Sequence, residues 1–203
     1  MAYDASTRDA ALDDNALAQL FTEARTRNAF SDRPVTTEQL HKLYELTKFG
    51  PTAANSTPVR FLFITSPEAK ARLAPFMSEA NRSKTLSAPV NVVVAFDNDF
   101  HEHMPLLFPH NPGAKDWFGD SEARKGPGVL NSSLQAGYFM IAARALGLDV
   151  GPMIGFDAAG VKGEFLADSS WVPSFVINLG YGTDENLFPR SPRLDFDTAA
   201  KIL

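Results

Sequence analysis

Between Gly128 and Leu148 apolar residues recur three and four positions apart: Val129, Leu130, Leu134, Gly137, Tyr138, Ile141, Ala145 and Leu148. That spacing lays them along one side of a helix. Phe139, Met140, Ala142 and Leu146 fill much of the opposite side. A helix apolar nearly all round is expected to be buried, in a core or in a subunit interface. Gly147 or the Asp149–Gly151 turn can end it, and Pro152 cannot continue it. The GPMIGFD that follows reads as a short extended segment.

The same reading gives the other elements. Asp13 and Asp14 precede a helix through Leu17, Leu20, Phe21 and Ala24, with acids at the positive end of its dipole. Thr36 and Gln39 make a capping box for a second helix carrying Leu40, Leu43, Tyr44 and Leu46, which Phe49-Gly50-Pro51 stops. Apolar and β-branched runs predict strands at Arg60–Thr65, Val90–Phe96 and Phe175–Leu179. Ser66-Pro67-Glu68 opens a helix, Asp157 caps one through Val161, Phe165 and Leu166, and a last short helix is expected near Asp197 to Leu203. Residues 1–12 read as a poorly ordered tail. Residues 97–128, rich in proline, glycine and histidine and without a clean period, read as one long loop, functional or mobile. No repeat or linker interrupts the chain, so residues 1–203 are expected to form one α+β domain.

Composition narrows the chemistry. The net charge of −5 and a pI near 5.3 argue against a nucleic-acid surface. No apolar run approaches the roughly 20 residues of a membrane span, no secretory signal pattern opens the chain, and the cytoplasm is the expected location. The absence of cysteine excludes disulfides, thiolate metal sites and cysteine nucleophiles. There is no G-x-S-x-G, P-loop, G-x-G-x-x-G or H-E-x-x-H. His101-Glu102-His103 lacks an evident third ligand and reads as solvated residues, so no metal is expected. Ser132-Ser133, near the start of the apolar helix, caps or packs.

Four other stretches make a coherent set. Arg25-Thr26-Arg27-Asn28-Ala29-Phe30 follows the first helix. Gly50-Pro51-Thr52-Ala53-Ala54-Asn55-Ser56-Thr57-Pro58 follows the second. Ala145–Leu148 (ALGL) leads into Gly151–Asp157, and Arg190 and Arg193 form a C-terminal basic pair. In this order and spacing they make the chain resemble the FMN-dependent nitroreductase family over essentially its whole length. LLFPH at Leu106–His110, DWF at Asp116–Phe118 and NSS-x-QA at Asn131–Ala136 make it most similar to the family's malonic semialdehyde reductase branch, which acts in pyrimidine breakdown.

The resemblance implies a nitroreductase-like α+β fold: a central mixed or antiparallel sheet flanked by helices, with the long helix at the interface of an obligate homodimer. It implies two FMN sites across that interface and NAD(P)H as co-substrate. A flavin phosphate in an acidic protein needs cationic donors, which Arg25, Arg190 and Arg193 can supply together with the Thr26 hydroxyl. Arg27 and Asn28 belong to the same motif, Asn28 standing where Arg or Lys is frequent. Pro51, Thr52, Ala53 and Asn55 match a loop that lies over the partner subunit's flavin. Asn81 and Lys84 match positions at the polar edge of the isoalloxazine, where positive charge would stabilise the reduced anionic flavin. Ile154 and Gly155 match the backbone near flavin N5, many members carrying Glu in place of Ile154. Read singly, the arginines are surface residues near turns, Asn81 and Lys84 an exposed polar turn, and Asn55 turn chemistry.

The implied reaction is ping-pong: NAD(P)H gives hydride to N5, leaves, and the acceptor stacks over the same face. An aldehyde acceptor also needs a donor for its developing alkoxide. His103, His110 and Trp117 in the 97–128 segment, as a lid, and Arg60 or Arg124, as partner of a substrate carboxylate, are the candidates. A broader reductase of nitroaromatics, quinones or enones is the alternative, and a non-enzymatic flavin-binding or redox-sensing protein a further one. No ribose-recognition motif separates NADH from NADPH.

Overall fold

The computed structural model describes residues 9–203; residues 1–8 of the expected tail lie outside the described residues. Its centre is β2 (Val90–Asp97), buried along its entire length. β1 (Val59–Ile64) flanks β2 on one side and β4 (Trp171–Gly180) on the other, and β3 (Asp149–Met153) closes the order β1-β2-β4-β3. Every pairing is antiparallel, which resolves the expectation of a mixed or antiparallel sheet. A strand covered on both faces needs no polar alternation, so the valines of β2 run together. β3 was visible in the sequence only as an extended segment. β4 begins four residues earlier than expected, because Pro173 masks its start. The register shifts between Val94 and Ala95, which oppose Phe175 and Pro173, and a bulge tolerates proline.

Each face of the sheet carries its own core. On one, Val92, Val94, Ile177 and Leu179 pack under α2 (Thr37–Thr47) and α6 (Ser121–Ala145), around the fully buried Phe139. On the other, Ile64, Val93, Met153 and Val176 meet Leu73 of α3 (Pro67–Leu73) and Val161 of α7 (Ala158–Phe165). Thr36 and Gln39 form both arms of the expected capping box on α2. α1 (Asp14–Leu17) is capped by Asp13 and runs on into a wider π-helical turn, Ala18–Thr22. α4 (Glu79–Ser87) precedes β2, and α8 (Phe196–Ala199), capped by Asp195, is shorter than expected.

One expectation is corrected around α6. The 97–128 segment is not one loop. It holds short helical turns at Phe100–His103 and Pro112–Phe118, α5 (Met104–Leu107), and the first turns of α6. The helix starts at Ser121 because Asp120 accepts from the Glu122 and Ala123 N–H groups. Gly126, Pro127 and Gly128 hide this start. Gly128 is required by contact, since a Cβ there would lie 2.5 Å from the Phe96 ring. α6 divides its apolar residues between two faces, as the core-or-interface expectation allows. Phe139, Ala142 and Ala143 face the core, while Val129, Leu130, Leu134 and Tyr138 are 46%, 64%, 48% and 48% exposed on the single chain. Among the described residues no helix is long and apolar enough to cross a membrane.

Candidate functional site

The Arg25–Asn28 segment is tied to the outer edge of β3. Thr26 forms a parallel bridge with Val150, and the Arg27 N–H donates to the Val150 carbonyl at 3.1 Å. The chain after β4 returns across it. The Arg25 guanidinium donates to the Phe188 carbonyl, Arg190 to the Ala24 carbonyl at 3.0 Å, and the Asn28 amide to the Asn186 carbonyl at 3.2 Å. Between these strands of chain lies a cavity of about 730 Å³, lined among others by Arg25, Thr26, Asn28, Arg144, Arg190 and Arg193. Among the described residues no Asp or Glu lines it and none of its four arginines is ion-paired.

Arg144 is absent from the sequence-based candidates. It sits in the last turn of α6, a cation at the negative end of a helix dipole, and that position was its one signal. Its guanidinium donates to the Leu20 carbonyl at 2.9 Å, while Nε is buried without a partner. Burial lowers its pKa; nearby Asp149 opposes this and the charge of Arg190 adds to it. An anion in the cavity would relieve this crowding of like charge. Arg27, by contrast, does not line the cavity. It pairs with Asp149 at 3.5 Å and with Asp184, and a Cβ on Gly182 would lie 2.3 Å from its Cγ, so it cross-links β3 to the chain after β4.

Asn28 joins this cavity to the next group. Lys84 Nζ lies 3.3 Å from Asn28 Oδ1. The Gly155 carbonyl accepts from the Ser78 N–H at 2.9 Å and from the Asn81 amide at 3.1 Å. A Cβ at Gly155 would come within 2.8 Å of Ser78 Oγ and 2.9 Å of Asn81 Nδ2, so those side chains would have to shift to admit one, whereas Ile154 is 85% exposed. Beneath α4 two residues missed in the sequence hold it down. Asn91 and Asn178, opposite one another in register and fully buried, are joined at 2.8 Å. Asn91 also donates to the Thr85 carbonyl at 3.0 Å and Asn178 to the Lys84 carbonyl at 3.1 Å. Asparagine within the runs VNVVVAF and FVINL was the available signal.

Pro51, Thr52, Ala53 and Asn55 do not line the arginine cavity. Their loop carries three non-glycine residues at positive φ: Ala54 at 50°, Asn55 at 53° and Thr57 at 37°. Such conformations cost roughly 1–3 kcal/mol each and persist only where surrounding contacts enforce them. Thr52 Oγ1 accepts from the Thr57 N–H at 3.1 Å, and the Asn55 amide donates to the Leu107 carbonyl at 2.9 Å. Beside the loop lie two adjoining cavities of about 350 and 410 Å³ that share Tyr44, Thr57, Val59, Arg60 and Leu107. The predicted residues thus fall into two separate groups on one chain.

The substrate candidates divide as well. His103 lines the smaller of these two cavities, its Nε2 lying 3.9 Å from Asp97. Arg60 lines both, but its fork is committed to Asp97 at 2.7 Å and to the Thr57 and Val59 carbonyls, each at 2.9 Å. Burial raises the Asp97 pKa, yet hydrogen bonds from Ser170 and the Asp99 N–H, with the charge of Arg60, outweigh it and hold the carboxyl below its ordinary range. Arg124 is 9% exposed and donates to the Asn98 and Gly119 carbonyls, both at 2.7 Å. It clamps the start of α6 and lines none of these cavities, so it is not placed to meet a substrate carboxylate. His110 lies against Phe108 at 3.9 Å with the rings tilted by 53°, and Trp117 is edge-on to the same ring at 5.8 Å; neither lines these two cavities.

Known proteins share both sequence and fold with this chain. A family model described as the Nitroreductase family matches residues 22–181. A protein of Caulobacter sp. (strain K31), named as a candidate NADH dehydrogenase/NAD(P)H nitroreductase, is 59% identical over 194 residues, 96% of this chain and all of that one. The fold is shared with a Bacillus subtilis protein described as a candidate nitroreductase, at TM-score 0.84 and 23% identity over 93% of this chain and 99% of that one. It is also shared with an Exiguobacterium sibiricum protein of similar description, solved in complex with FMN, at TM-score 0.79 and 22% identity over 95% and 98% of the two chains. The chain belongs to the Nitroreductase family.

Proposed function

We propose that this protein is an FMN-dependent NAD(P)H oxidoreductase working as a cytoplasmic homodimer, with malonic semialdehyde as its natural acceptor. The observation that carries the cofactor assignment is the set of four arginines that, among the described residues, have no ion-pair partner and surround a cavity without a carboxylate, in a protein of net charge −5. The cavity volume falls in the range of about 300–1,000 Å³ usual for cofactor sites. Arg25, Arg144, Arg190 and Arg193, with Thr26, would hold the phosphate dianion through charge-assisted hydrogen bonds. Lys84, steered by Asn28, would present positive charge to the polar edge of the ring system, and Asn81 fixes the Gly155 peptide beside it. When bound, FMN supplies the hydride carriage between the two substrates.

The homodimer is supported by the exposed apolar stripe of α6 and by Phe49, 76% exposed at the end of α2, a pattern that marks an interaction surface. A second copy seated there would bring the strained Thr52–Thr57 loop to a site it does not reach on its own chain. The acceptor reading rests on the sequence stretches at Leu106–His110, Asp116–Phe118 and Asn131–Ala136. In the net reaction hydride adds to the aldehyde carbon and a proton to its oxygen, giving 3-hydroxypropionate. His103, which lines the smaller cavity, is proposed as the proton donor. The second reading, a broader nitroaromatic or quinone reductase, is favoured by the aromatic lining of that cavity, Tyr44, Phe61, Phe63 and Trp171. Steady-state turnover with saturating NADPH decides between them. The account expects kcat/KM for malonic semialdehyde to exceed that for a quinone and a nitroaromatic, and the reverse order would replace the natural acceptor.

A further inference from the structure

Asn131 and Gln135 stand one turn apart on the core-facing side of α6, and both are nearly inaccessible, 3% and 1% exposed. The side-chain oxygen of Asn131 accepts the Ala53 N–H at 2.7 Å, and that of Gln135 accepts the Val59 N–H at 3.2 Å. These two donors bracket the segment that contains Ala54, Asn55 and Thr57, the three residues at positive φ. The Asn131 amide nitrogen is occupied as well, donating to the Pro127 carbonyl at 2.9 Å, which orients its oxygen toward the loop. Gly50 adds close packing at the loop's entrance, where a Cβ would lie 3.1 Å from Tyr138 Cγ and 3.3 Å from the Gln135 Cα.

A loop in three disfavoured conformations must be held from outside, because its own sequence prefers to relax. The Val59 N–H is buried and cannot lose its acceptor without a desolvation penalty, and the part-buried bond from Ala53 ends on the nearly inaccessible Asn131 oxygen, so both ends of the segment are fixed to α6. We propose that Asn131 and Gln135 are positioning residues of the cofactor site: an amide pair that holds the Thr52–Thr57 loop in its strained form, ready to cover the flavin of a second copy. This rests on the flavin reading above. It gives the NSS-x-QA stretch a physical role, two acceptors at a spacing of four on one helix face. The rigid helix carries the acceptors and the loop carries the strain.

The test compares Gln135→Met, which removes the acceptor, with Gln135→Glu, which keeps a carboxyl oxygen in its place, and adds Asn131→Leu. Two readouts are taken on the intact dimeric chain: amide hydrogen exchange across residues 52–59 without cofactor, and the FMN dissociation constant from fluorescence quenching. Gln135→Met and Asn131→Leu are expected to speed exchange in that segment and weaken FMN binding about 10-fold, the effect of one lost buried hydrogen bond. Gln135→Glu should restore both values toward wild type. Faster exchange with an unchanged dissociation constant overturns the proposal, because the clamp would then be structural only. Unchanged exchange overturns it too, since nothing would be clamped. A wild-type chain that binds no FMN, yet shows protected 52–59 amides lost in Gln135→Met, overturns the flavin reading and leaves the clamp without a cofactor to serve.

Discussion

Replacing Asn178 by Leu should unlatch α4 from the sheet. The side chain is fully buried, so nothing replaces the contacts it loses. Two strong hydrogen bonds disappear, from the Asn91 amide at 2.8 Å and to the Lys84 carbonyl at 3.1 Å, together with a weak one to Met153 Sδ at 3.8 Å. Each strong one is worth about 1 kcal/mol net, and stranding the Lys84 carbonyl adds about 1–3 kcal/mol, so the total is about 3–5 kcal/mol. Leucine also cannot reproduce the planar amide opposite Asn91 in the strand register. The Asn91→Leu, Asn178→Leu double variant should lose less than the sum of the singles, because it removes both partners of the shared bond. Urea unfolding at fixed protein concentration measures the three losses against wild type. A loss below about 0.5 kcal/mol for Asn178→Leu, the size of an ordinary surface change, would refute the latch, and so would strict additivity.

Other outcomes follow from the same geometry. Arg144→Met should weaken FMN binding about 10-fold or more, the value of a charge-assisted contact, and flatten its salt dependence in a fluorescence titration. Asp97 has a depressed pKa in the folded protein, so its contribution to stability is full above the ordinary aspartate pKa and is lost as pH falls through the folded value. Melting temperatures taken from neutral pH down into the acid range should show that loss in the wild type and lack it in Asp97→Asn. Leu134→Arg places a charge on the exposed stripe of α6, the proposed dimer face, and should shift that proposed dimer to monomer in sedimentation equilibrium, with its secondary structure by circular dichroism unchanged.

The elements that one local signal specifies were legible in the sequence. The Thr36–Gln39 box, Ser66-Pro67 and Asp157 all cap as the residue types require. The valine run of β2 could be read without its partners because it is buried on both faces. The start of α6 could not, since Gly126, Pro127 and Gly128 argue locally for a loop, and the reason for Gly128 is Phe96, far away in the chain. The first part of β4 was hidden by Pro173, which only the bulge against β2 makes tolerable. Site residues divided in the same way. Arg25, Thr26, Asn28, Arg190 and Arg193 stand in recognisable stretches and meet at one cavity. Arg27 sits in the same stretch and turns to Asp149, a choice set by the bridge at Thr26. Arg144 stands just before the ALGL stretch, and Asn91 and Asn178 stand inside strand runs, but what defines the role of each is a neighbour brought by the fold.

The visible absorption spectrum of the purified protein, recorded before and after anaerobic addition of NADPH, tests the central claim most directly. The account predicts a yellow protein with bound-flavin bands that bleach on reduction and return when an acceptor is added. A protein that stays colourless after incubation with free FMN would contradict the assignment of the arginine cavity as a flavin phosphate site.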